Sequence, residues 1–102
     1  MNDIKKFRYI NNFLNTLSEV EETHPHFCDF IVDKETSWDK LEQLMKGKSE
    51  PPFYAENILL GAFASAMSAY KIGSKNQAQK ELSKCGAIIM RIMEKIEKEM
   101  EE

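Results

Sequence analysis

Between Asp3 and Glu22 the apolar residues Ile4, Phe7, Ile10, Phe13, Leu14, Leu17 and Val20 return every three or four positions, a spacing that lines one side of an α-helix. The pattern predicts an amphipathic helix capped by Asn2 or Asp3. The cap oxygen accepts from a first-turn amide, and a negative Asp3 suits the positive end of the helix dipole. Thr23-His24-Pro25 ends the helix, because the residue before a proline is driven out of the helical region. His26 to Asp33 is ambiguous: Phe27, Phe30 and Ile31 fit a short helical turn, and the same residues fit an extended segment. The turn is the expectation.

Trp38, Leu41, Leu44 and Met45 form the apolar face of a short helix that stops at Gly47, with a capping box expected over Thr36-Ser37-Trp38-Asp39. Lys48-Ser49-Glu50-Pro51-Pro52 reads as a linker that is also a helix start, since proline costs nothing in a first turn whose amides lack intrahelical partners. A long helix is predicted from there to Ile72. Its middle, Ile58 to Met67, is apolar or small on nearly every face, as in a helix surrounded by others. Gly61, Ala62, Ser65, Ala66 and Ala69 would let neighbouring backbones come close. Gly73 should supply a left-handed terminal residue and Ser74 should cap the next helix in a box with Gln77, making a tight antiparallel hairpin.

The last helix carries Ala78, Leu82, Cys85, Ile89, Ile92, Ile96 and Met100 at alternating steps of about four and three, the spacing of a bundle or coiled-coil seam. Ile88 and Met93 widen that seam. Together these elements predict an all-α fold: one helical domain over 1–102, a small bundle of three long helices plus one or two short ones, built on the C-terminal hairpin. The expected core is Phe7, Leu14, Leu17, Leu41, Leu59, Phe63, Ala66, Leu82, Cys85, Ile89 and Ile92.

Composition narrows the class. At 102 residues with 42% hydrophobic and 30% charged residues, the chain has the apolar content to fold as one soluble domain. A net charge of −3 argues against non-specific duplex binding, which depends on many basic contacts displacing counterions. The N-terminus lacks the unbroken apolar stretch of a signal peptide, and the run from Ile58 to Met67 is too short to span a bilayer, so the expected compartment is the cytoplasm. Cys28 and Cys85 read as reduced thiols.

Charge order adds a topological expectation. The first helix opens with Lys5, Lys6 and Arg8 and closes with Glu19, Glu21 and Glu22. The last opens with Lys75, Lys80 and Lys84 and closes with Glu97, Glu99, Glu101 and Glu102. Both orders oppose the dipole preference. Antiparallel pairing of these two helices, or of the last helix with a second copy, would bring basic starts beside acidic ends.

Few residues suggest chemistry. His24, His26 and Cys28 alternate in a segment with several carboxylates and are candidate zinc ligands, although no C-x-x-C or H-x-x-x-H spacing supports them. Of the two thiols, Cys28 is the better nucleophile candidate, since Cys85 falls within an apolar seam. No phosphate-binding glycine loop, nucleophile elbow or H-E-x-x-H occurs. The hairpin Ala69 to Ser74, followed by Lys80-Glu81-Leu82-Ser83-Lys84 and an apolar helix, resembles the all-α nucleotide pyrophosphohydrolases of the MazG type over the end of the chain. In that family two helices joined by a short turn carry E-x-x-E and E-x-x-D carboxylates that hold magnesium. The resemblance puts Glu81 at the first acid of the second motif. Lys84 stands where the aspartate belongs, and the preceding helix offers only Glu56, which leaves too little charge for Mg²⁺.

The expected function is therefore non-enzymatic: a small acidic helical module, without cofactor, that binds and modulates a macromolecular partner, for instance as an inhibitor or an immunity-type factor. Its expected contact residues are Lys75, Lys80, Lys84, Ile89, Met93, Ile96 and Met100, with a homo-oligomer through the last helix. The alternatives are a divergent metal-dependent nucleotide hydrolase, which the resemblance implies, and a nucleic-acid-binding regulator using the basic hairpin tip.

Overall fold

A computed structural model describes residues 1–48 and 50–101; Ser49 of the expected linker and Glu102 of the acidic helix end lie outside them. Among the described residues the fold is all-α, with four helices in the order α1 (Asp3–Thr23), α2 (Trp38–Lys46), α3 (Ala55–Lys71) and α4 (Lys75–Met100). The backbone divides into two compact units, residues 1–33 and 34–102.

In the first unit α1 follows the expected bounds. Asn2 is its cap, Oδ1 accepting from the Lys5 amide at 2.9 Å. His24 closes the helix with its own amide on the Val20 carbonyl at 2.8 Å, immediately before Pro25. After it the chain makes tight turns, Phe27 N–H to the His24 carbonyl and Asp29 N–H to the His26 carbonyl, and no regular helix.

In the second unit α3 is the central element: α2 packs on it and α4 packs on it. Apart from Met67, its buried side chains are small. Ala62, Ala64, Ala66, Ala69 and Met67 of α3 are buried, with Ala78 and Cys85 of α4. At Gly61 a Cβ would stand 3.2 Å from the Cβ of Met45 in α2, so a glycine here lets the two helices approach closely. Trp38 meets Phe63 edge to face, ring centroids 5.3 Å apart, which fixes the start of α2 over the middle of α3. Lys71, at the end of α3, donates from Nζ to the Thr36 carbonyl at 2.6 Å.

The α3–α4 turn is a Schellman motif. Gly73 has φ +85, the Ser74 amide reaches back to the Ala69 carbonyl at 2.9 Å, and the Gly73 amide reaches the Tyr70 carbonyl at 3.1 Å. The left-handed residue is where the sequence put it.

Three local expectations differ. The cap position of α2 is Ser37, one residue after the Thr36 of the expected box, and neither it nor Ser74 uses its hydroxyl as a cap. Ser74 still supplies its carbonyl to the Ala78 amide, but its own amide is taken by the Ala69 carbonyl and Gln77 donates along the helix to Glu81 Oε1 at 3.1 Å, so the box does not form. The long helix starts at Ala55 rather than at the prolines, because Tyr54 stays extended and its carbonyl accepts the first helical hydrogen bonds from Asn57 and Ile58.

The core is also smaller than expected. Ala66 and Cys85 are buried, and Leu41, Leu59 and Ile92 are half-buried. Phe63, Leu82 and Ile89 remain 37–38% exposed, and in α1 Phe7, Leu14 and Leu17 are more exposed still. In the second unit the reason is steric: a helix contact made by alanines leaves larger side chains to lie on its flanks.

Two substitutions test this account. Gly61→Leu should destabilise the chain by about 1–3 kcal/mol, because the new side chain meets the backbone-proximal Cβ of Met45. Gly73→Ala should cost roughly 1–2 kcal/mol through backbone strain alone, since nothing lies near its Cβ. Urea unfolding followed by circular dichroism measures both; an unchanged midpoint for Gly61→Leu would contradict the close α2–α3 approach.

Candidate functional site: an apolar groove beside α4

Because alanines bring α3 and α4 together, their flanks leave a groove of about 580 Å³ along the C-terminal half of α4. One wall is Phe53, Ala55 and Ile58. Phe53 reaches it because the chain is still extended at Tyr54. The other wall is Ile88, Ile92 and Ile96, which share one side of α4 at steps of four. Phe53 is 60% and Ile96 50% exposed, so the groove is open to solvent. Its polar lip is Arg91, Lys95 and Glu99.

The lip charges are only loosely engaged. Arg91 Nη1 lies 3.7 Å from Glu94 Oε1, and Lys95 Nζ lies 3.7 Å from Glu99 Oε1, with Arg91 and Lys95 about 70% exposed. An exposed pair such as Lys95–Glu99 contributes at most about 1 kcal/mol. Glu94 differs: it is buried, and Arg91 is the charge beside it.

A second, more polar groove of about 360 Å³ lies where α2, α3 and α4 meet. Met45 and Gly61 form its floor side, and Glu42, Lys46, Lys48, Glu81 and Lys84 bring charge to it. Ile58 of α3 borders both grooves.

The residues expected to meet a partner distribute over several surfaces. Lys75 and Lys80 are exposed on the first turns of α4, and Lys84 is exposed and lines the polar groove. Ile89, Ile96 and Met100 are exposed and Met93 is half-buried, but of these four Ile96 alone lines the apolar groove. Lys71, just before the hairpin turn, is occupied by the Thr36 carbonyl. Phe53, Ile58, Ile88, Ile92, Arg91 and Lys95 were not singled out as contact residues. The i, i+4, i+8 spacing of Ile88, Ile92 and Ile96 was a legible signal for one wall; Phe53 and Ile58 belong to a distant stretch and carried none.

In the first unit the Nδ1 atoms of His24 and His26 already have partners, the Thr23 hydroxyl at 3.0 Å and the Asp29 carboxylate at 3.1 Å. Cys28 is exposed nearby. Among the described residues no three His, Cys, Asp or Glu side chains converge as a metal site would require. No helix among them is long and apolar enough to cross a membrane. Glu81, the acid on which the hydrolase resemblance rests, lines the polar groove with Lys84 and accepts from Gln77.

The thiols differ in environment. Burial pushes the Cys85 thiol above its ordinary value of 9.0, and the nearby Glu81 carboxylate pushes it further in the same direction. Cys85 is thus protonated at neutral pH. The stability it contributes is complete below pH 9.0 and declines as pH rises beyond it, where the unfolded chain loses the thiol proton and the folded chain keeps it. Iodoacetamide at pH 8 should therefore alkylate Cys28 in the folded protein and Cys85 only after denaturant is added, as read by peptide mass spectrometry; equal labelling rates would refute the packed seam at Cys85. Compared with family models, curated proteins and solved structures, this sequence and its fold find no match.

Proposed function

We propose that this chain is a non-enzymatic interaction module that binds and modulates a macromolecular partner through the α3–α4 hairpin. The observation that carries this reading is the groove walled by Phe53, Ile58, Ile88, Ile92 and Ile96. Contiguous apolar side chains left in water, rimmed by charge, are the surface that protein association removes from solvent. A groove between two helices is also the form that accepts a third helix. Met93 and Met100 extend the adaptable apolar surface of α4 beyond the groove.

The exposed lysines Lys75, Lys80 and Lys84 support the same reading from the other end of α4. They steer an acidic partner surface toward the hairpin and fix its orientation more than they add affinity.

Placing a photo-crosslinking amino acid at Ile92 in living cells tests the proposal. A discrete covalent adduct is expected, lost when Ile88→Asp is added to a chain whose helicity by circular dichroism is unchanged. The absence of any adduct from Ile92, Ile88 and Ile96 alike would sink it.

A further inference from the structure

We propose that the groove receives an amphipathic α-helix of a partner protein, its apolar face on Ile88, Ile92 and Ile96 and its acidic flank against Arg91 and Lys95. This rests on the groove being the binding surface, and it names the chemistry of what binds there.

Shape comes first. From Ile88 to Glu99 the groove follows α4 for eleven steps of about 1.5 Å, roughly 16 Å or three helical turns. Its two walls come from two different helical neighbours, so an occupant must be rod-like and narrow, with apolar side chains on one stripe. A helix with anchors at i, i+4 and i+7 presents that stripe. A lipid surface is too broad to enter between the walls.

Charge then selects the flank. The α4 edge of the groove carries two cations, Arg91 and Lys95, and one carboxylate, Glu99, at its far end, and Lys84 lies on the same helix face in the polar groove. The opposite edge, Phe53, Ala55 and Ile58, is uncharged. This basic row belongs to a chain whose net charge is −3, so it is a local feature and not a reflection of composition. The guanidinium and ammonium groups are mostly in water; Lys95 can share an incoming carboxylate with the exposed Glu99, and Arg91 can accept a second carboxylate while keeping its contact with the buried Glu94.

At the register that pairs the isoleucines, the same row works against a second copy in this groove. A two-fold antiparallel pairing centred on Ile92 would bury the isoleucines of both copies, but each Arg91 would then lie within about 3 Å of rise of the other Arg91 and beside the other Lys95. Like charges would meet at the axis.

The test uses two fluorescein-labelled helical peptides of about four turns, alike in their leucine stripe, one flanked by glutamates and the other by lysines. In fluorescence anisotropy with the full chain, the glutamate peptide should bind roughly two- to thirtyfold more tightly, the span that two exposed charge contacts account for. Lys95→Glu, at an exposed position that folding does not depend on, should invert that preference, and Ile88→Asp should weaken both peptides. Equal binding of the two peptides, no binding of either, or a preference that Lys95→Glu leaves untouched would overturn the proposal. So would a dimer that loses its affinity on Ile92→Asp, or binding to anionic vesicles that Ile88→Asp abolishes. A photo-adduct from Ile92 to a basic or non-helical segment of another protein would overturn this inference and leave the interaction module standing. No adduct at all would remove both.

Discussion

The close approach of helices to α3 is the constraint on which the rest of the second unit depends. Ala62, Ala64, Ala66 and Ala69 of α3, with Ala78 and Cys85 of α4, are the buried contact, and Gly61 admits Met45 of α2 to within 3.2 Å of where a Cβ would be. Small side chains bury little apolar area each, but they lose no rotamer freedom and allow extensive backbone-to-backbone dispersion contact. The consequence is geometric. Isoleucines and phenylalanines that would fill a wider interface have no room between the helices and are displaced to their flanks, where Ile58, Ile88, Ile92 and Ile96 border an open groove.

That displacement links packing to electrostatics. On α4 the residues next to the displaced isoleucines are Arg91, Lys95 and Glu99, so the apolar groove acquires a charged lip from the same helix and an uncharged lip from the segment that begins α3. The asymmetry arises because Phe53 and Tyr54 precede the first turn in extended conformation and bring a bulky ring, not a charge, to the far wall. A groove with unlike edges can orient what it binds, since reversing or rotating an occupant exchanges its favourable and unfavourable flanks.

The hairpin turn supports this arrangement in a different way. Gly73 adopts a conformation that other residues rarely take, and its motif satisfies the carbonyls of Ala69 and Tyr70 at the end of α3. The turn therefore sets the register of α4 against α3, and with it which face of α4 is covered.

Much of this was legible along the chain. Periodicity located the four helices, because a helix buries every third or fourth side chain whatever it packs against, and Asn2, Pro25, Gly47 and Gly73 marked where helices begin or end through local backbone chemistry. The box at Ser74 did not form and the cap of α2 falls one residue beyond the Thr36 of its expected box, since a hydroxyl or amide side chain has several local partners of similar energy, and Gln77 took Glu81. The groove was only partly legible: the seam read along α4 holds Ile92 and Ile96, with Ile88 beside it, whereas Phe53 joins the groove from a stretch more than thirty residues away. The sequence by itself determined the helices, the turn between the last two and the small-residue character of α3. The tertiary structure decided which apolar side chains are buried and which line an open surface. Periodicity records only that a face is apolar, whereas burial depends on how closely the neighbouring helix approaches.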